Sequence, residues 1–176
     1  MYEESSGVDR TLTNVTFSGN TAIGNGGGMF NNVTGSCPTL TNVTFSGNGA
    51  SSGGGIYNAV SNPTIADSIF WNDGSEIYNN SSTPTLTDNL IAGGCPTGST
   101  CTNIINADPL LGPLQNNGGF TETMALGAGS PAIDAGNSAT CATTDQRGFP
   151  RPPGHCDLGA YQLDIGYSVF LPYIQR

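Results

Sequence analysis

The sequence predicts an all-β protein: a right-handed parallel β-helix with three short strands per coil and an irregular C-terminal cap. A repeated nonapeptide, a second motif interleaved with it and a composition hostile to helices carry that expectation. Residues 12–20, Leu-Thr-Asn-Val-Thr-Phe-Ser-Gly-Asn, recur letter for letter at 40–48. A weaker copy spans Ile65 to Asn72 and a fainter one Leu86 to Ile91. Between them lie Gly26-Gly-Gly-Met-Phe-Asn-Asn32, Gly53-Gly-Gly-Ile-Tyr-Asn58 and Gly74-Ser-Glu-Ile-Tyr-Asn-Asn80. Two elements alternating at a period of 21 to 28 residues mark one supersecondary unit stacked several times. Gly (26), Thr (20), Asn (18) and Ser (16) fill 80 of 176 positions, and all four are poor helix formers.

Each unit reads as three strands. The first lies around Met29 or Ile56, after the glycines. The second lies around Leu12, Leu40, Ile65 and Leu86, and the third at Val15-Thr-Phe17 and its equivalents. Apolar residues alternate with Thr or Ser, the period-2 pattern of a half-buried strand. Asn14, Asn42, Asp67 and Asp88 divide the second strand from the third. Asn and Asp tolerate the left-handed conformation, so a tight bend is expected there. A leucine-rich repeat would need a Leu-x-x-Leu-x-Leu pattern, which is missing. Stacking at about 4.8 Å aligns Leu12, Leu40, Ile65 and Leu86 in one column, and Phe17, Phe45, Phe70 and Ile91 in another. Asn20, Asn48 and Asn72 are expected to form an amide ladder, with the third copy one residue short.

Charge narrows the function. Four arginines, no lysine and thirteen acids give a net charge of −9. Nucleic-acid binding needs a basic stripe, and docking on an anionic membrane needs the same. No apolar run approaches the roughly 20 residues of a spanning helix. Cys95 and Cys101 enclose five residues, and Cys141 and Cys156 bracket the loop from Asp145 to Gly154. Two short-range disulfides are expected, with Cys37 outside them; the alternative is five reduced thiols. There is no Cys-x-x-Cys pair to suggest zinc, and no cofactor or metal site is expected.

The repeats resemble those of bacterial polymorphic outer-membrane proteins, with their Gly-Gly-aliphatic and Phe-x-x-Asn motifs: Gly27-Gly28-Met29, Gly54-Gly55-Ile56, Phe17 to Asn20 and Phe45 to Asn48. Beyond the repeats the text changes to Ile104-Ile-Asn-Ala-Asp-Pro-Leu-Leu111, Gly129-Ser-Pro-Ala-Ile-Asp-Ala-Gly-Asn137, Thr144-Asp-Gln-Arg-Gly-Phe-Pro-Arg151 and Cys156-Asp-Leu-Gly-Ala-Tyr161. This ordered series resembles the end of the choice-of-anchor Q family of bacterial surface proteins. The resemblance implies an exported β-helix followed by an anchoring tail. The expected organisation is β-helix repeats over 1–103, a capping region over 104–162 and a tail over 163–176 that sorts the protein or adds an edge strand. Asp145, Arg147 and Asp157 are the expected network holding the cap closed. Met1-Tyr-Glu-Glu4 aligns with Met29-Phe-Asn-Asn32, so the chain is expected to begin inside a repeat and to lack upstream coils.

The expected function is a non-enzymatic module, secreted or on the cell surface, adhesin-like or structural. Its partners would be a carbohydrate or a ligand on a neighbouring cell, besides its own upstream coils. The alternative is a carbohydrate-active β-helix enzyme, a polysaccharide lyase or hydrolase. Hydrolases need two carboxylates about 5–9 Å apart. Asp67 with Asp88, on successive coils, is the first such pair, and Asp73 with Glu76, flanking an exposed turn beside Trp71, is the second. His155 reads as a surface residue. Thr13, Thr41 and Thr87 also form a possible outward ice-binding column, one residue wide and broken by Ala66.

Overall fold

The computed structural model describes residues 1–3, 10–32 and 37–164. Of the tail expected over 163–176, residues 165–176 lie outside the described residues. The chain is all-β, a parallel solenoid of about three turns with three strands per coil. The first sheet stacks β1 (Tyr2–Glu3), β4 (Met29–Asn32), β7 (Ile56–Ala59) and β10 (Ile77–Asn80). The second stacks β2 (Thr11–Thr13), β5 (Thr39–Thr41), β8 (Thr64–Ala66) and the start of β11 (Thr85–Ile91). The third stacks β3 (Thr16–Ser18), β6 (Thr44–Ser46), β9 (Ile69–Trp71) and the end of β11. These strands define four levels. A fifth, β12 (Thr100–Ile105), pairs with β11 and extends the stack beyond residue 103.

The bends form as the side-chain chemistry dictates. Asn14, Asn42, Asp67 and Asp88 take φ values of 57°, 53°, 51° and 54°, and Asn103 repeats the bend at 52° on the fifth level. Only short polar side chains adopt this conformation readily. Leu12, Leu40, Ile65 and Leu86 stand in register, and Cys101 continues their column. Phe17, Phe45 and Phe70 stack face to face at 4.6 and 4.7 Å between centroids, with Ile91 next in register. The glycines before β4 make room for those rings. A Cβ on Gly28 would lie 2.8 Å from the Phe45 ring and 2.8 Å from the Gly55 carbonyl, so no larger residue fits.

One expectation about the ladder needs correction. Ser46 pairs with Trp71, so Asn72 occupies the place of Gly47, with φ 64° against 69°. The third copy is therefore complete, and Asp73, not Asn72, stands in line with Asn20 and Asn48. An asparagine replacing a glycine at a left-handed position hid the register.

The C-terminal region was expected to lie over the last coil as a cap, and its described residues take another path. β13 (Leu111–Gln115) and β14 (Thr123–Leu126) form an antiparallel hairpin. The chain then lies along the flank of the solenoid. Asn137 and Thr140 reach Asp67 and Asp88, Ala142 reaches Asn42, and Thr144 and Gln146 reach Asn14 and Thr16 on the first level. It returns through Gly159 and Ala160 to Asp67 and Thr44. The cause is the outward column of the third sheet. This column reads Thr16, Thr44, Ile69, Leu90, Ile105, apolar at its later levels. Leu126, Ala132 and Leu158 pack on Ile69 and Leu90 and remove that apolar face from water. At the last level Cys101 and Ile104 pack, partly buried, on the core, and Cys101 is bonded to Cys95.

Candidate functional site

Three groups of polar side chains are candidates, two at solenoid corners and one in the C-terminal segment. The first is the ladder after the third sheet. Asn20 Nδ2 donates to Asn48 Oδ1 at 2.8 Å, and Asn48 donates to Asp73 Oδ1 from its backbone N–H at 2.6 Å and from Nδ2 at 3.0 Å. Asp73 and Glu76 are both buried, contrary to the expected exposed turn. The Asp73 N–H donates to the Glu76 carboxylate at 3.2 Å, and Asp73 Oδ2 is buried without a hydrogen-bond donor. Burial pushes Asp73 up to about 8, and the neighbouring Glu76 charge adds to the shift. Burial also raises Glu76. Burial thus favours the protonated form at both carboxyls, most strongly at Asp73. Glu76 also borders a cavity of about 230 Å³ that runs past Ile91 to Pro96.

The second group is the bend column. Both Asp67 oxygens are occupied, Oδ1 by the Asn137 N–H at 2.7 Å and Oδ2 by the Thr140 hydroxyl at 2.7 Å. Burial raises the Asp67 pKa. Asp88 accepts from the side-chain amides of Asn103 and Asn137. Asp67 and Asp88 thus anchor the C-terminal segment and present no open pair to a substrate. Asn42 and Asn14 hold the same segment at Ala142 and Thr144.

The third group is the expected cap network, which the structure divides in two. Arg147 pairs with Asp145 at 2.8 Å and lies between the rings of Phe149 and Tyr161, 4.5 and 3.8 Å from their centroids. Asp157 is not part of that pair; its carboxylate accepts from the N–H groups of Asp134 and Leu163. Between them lies Arg151, which the sequence reading did not single out. It is buried and donates to the carbonyls of Asp157 at 2.9 Å and Gly159 at 2.7 Å. Burial lowers its pKa to about 10. Nothing in Phe-Pro-Arg151-Pro-Pro marks this arginine as internal. His155 Nδ1 lies 3.2 Å from Asp134 Oδ1, at the surface.

The cysteines form Cys95–Cys101 and Cys141–Cys156, with exposed Cys37 outside both bonds. Among the described residues, no cluster of three or more His, Cys, Asp or Glu is arranged to hold a metal ion. No family model, curated protein or solved structure matches the chain.

Proposed function

We propose that the chain is a non-enzymatic, extracellular β-solenoid module, a rigid body that displays surfaces to neighbouring matter. The observation that carries this reading is the use of its polar side chains. The buried acids at the corners, including Asp67, Asp88 and Asp73, hold one coil to the next or to the docked C-terminal segment. Two disulfides suit an oxidising compartment. The likeness of residues 104–162 to the end of choice-of-anchor Q proteins, and of the repeats to those of polymorphic outer-membrane proteins, supports export to a bacterial surface.

The second reading, a carbohydrate-active enzyme, rests on Asp73 and Glu76 beside their cavity. Against it, both carboxyls are buried, and Asp73 Oδ1 is taken by the backbone and side-chain amides of Asn48. The reading is tested by incubating the oxidised protein with pectate, alginate and chitin, and measuring new chain ends. No cleavage is expected. Cleavage abolished by Glu76→Gln would replace the proposal with the enzyme reading.

A further inference from the structure

The second sheet carries a surface that none of these structural roles uses. Its inward residues are Leu12, Leu40, Ile65, Leu86 and Cys101, so the residues on either side point outward. On one side stand Thr11, Thr39, Thr64, Thr85 and Thr100, in register. On the other stand Thr13, Thr41, Ala66, Thr87 and Thr102, also in register. Nine of these ten positions are threonine, all half-buried or exposed. The sequence reading found one column; the strand pairing supplies the second and makes a two-dimensional array.

The array is regular in both directions. Neighbouring strands set about 4.8 Å between threonines along the solenoid axis, and two residues of strand set about 6.6 Å across it. Backbone bonds hold each level, as Thr39, Thr64, Thr85 and Thr100 donate to the carbonyls of Arg10, Pro38, Pro63 and Pro84 at 2.8 to 3.0 Å. The branched side chain is stiff at χ1, so hydroxyls and methyls keep fixed places. Among the described residues, none of the nine hydroxyls has a hydrogen-bond partner within the protein. No described residue bonds them, and neither column contains a charged residue.

We infer that this face binds ice. The physical case is a match of chemistry and repeat. A fixed lattice of hydroxyls supplies hydrogen-bonding groups where an ordered water layer needs them, and methyls between them sit against water cages. Charges would orient water around themselves and break such a layer; the array has none, which suits an uncharged crystal plane. Each contact is weak, but a rigid scaffold adds many without an ordering cost at each. Liquid water offers no fixed repeat to match, so only the crystal profits from the spacing. A crystalline polysaccharide is the competing occupant. Sugars stack on aromatic faces, and this sheet presents none outward; the outer rings Phe30, Tyr57 and Tyr78 stand on the first sheet. This inference does not depend on whether the module is an adhesin or a spacer.

The test grows an ice front slowly through a solution of the oxidised full chain and measures the fraction captured. Wild type is expected in the ice. Thr64→Tyr, at the centre of the array, and Thr85→Lys, one level on, should each lower capture about tenfold or more, since central positions dominate a binding face. Tyr78→Lys, on the first sheet, should be captured like wild type, and unchanged melting midpoints show that all are folded. Wild type left in the liquid overturns the inference. So does capture of both threonine variants at the wild-type level, or adsorption to chitin or cellulose powder without capture by ice.

Discussion

The coil stack and the C-terminal segment docked on it are held by opposite kinds of bonding. In the stack, several residues meet copies of themselves. Phe17, Phe45 and Phe70 stack ring on ring, and Asn31, Asn58 and Asn79 pass an amide hydrogen bond from level to level at 2.8 and 2.9 Å. In the docked segment, unlike residues meet once each: Asn137 and Thr140 with Asp67, Gln146 with Thr16, Ala160 with Thr44. Repeated bonding makes any one level expendable in kind though not in place. Unrepeated bonding makes the segment a single fastener across levels one to four. Among the described residues, its position on the flank also leaves the threonine sheet uncovered.

The largest expected effect breaks the fastener. Cys141→Ser with Cys156→Ser opens a loop of sequence separation 15, worth about 3 kcal/mol on the chain-entropy estimate. A denaturant melt should show that loss, and reduction should cost the double variant only the smaller Cys95–Cys101 loop, about 2 kcal/mol on the same estimate. On the stack side, Asn48→Ala removes four side-chain bonds in one place, two to Asn20 and one each to Asp73 and the Phe17 carbonyl. A loss of about 2 kcal/mol is expected, because the buried partners are left unpaired. A neutral result would mean that the ladder is decoration.

Asp73→Asn sharpens the same comparison by repairing the ladder. An unfolded Asp73 loses its proton near the ordinary value of 3.8, whereas the folded one keeps it up to about 8. Between those values the folded state binds more protons than the unfolded, so stability falls as pH rises across that window. Asparagine has no such proton, restores the residue type of Asn20 and Asn48, and offers an N–H to Glu76. The variant should be more stable at pH 7 by about 1 kcal/mol or more, with a flatter profile from pH 4 to 8. Thermal melts at several pH values read both. The smallest effect concerns a corner: Val60 holds φ 55°, costly for a β-branched residue. Val60→Gly should stabilise by about 1 kcal/mol in a denaturant melt.

Much of the stack was legible because identical residues recur where identical environments recur. The Leu12 and Phe17 columns, the bends at Asn14 to Asp88 and both disulfides follow from spacing and local chemistry. What stayed hidden has a physical reason in each case. Asn72 takes a glycine's conformation, which displaced Asp73 from its place in the ladder. Cys101 stands where a leucine stood, which masked β12. The docked segment meets each partner once, so no periodicity marks its path. Arg151 is internal because carbonyls from Asp157 and Gly159 converge on it, a contact no short motif encodes.

The lateral position of the C-terminal segment is the central claim, and hydrogen exchange by level tests it most directly. Exchange is followed at the strand amides of β3, β6, β9 and β11 in wild type and in Cys141→Ser with Cys156→Ser. A fastener along the flank predicts faster exchange at every level, the first included, where Thr144 and Gln146 contact Asn14 and Thr16. Loss of protection confined to β11 and β12, with β3 and β6 exchanging as before, would contradict it and return the segment to the end of the solenoid.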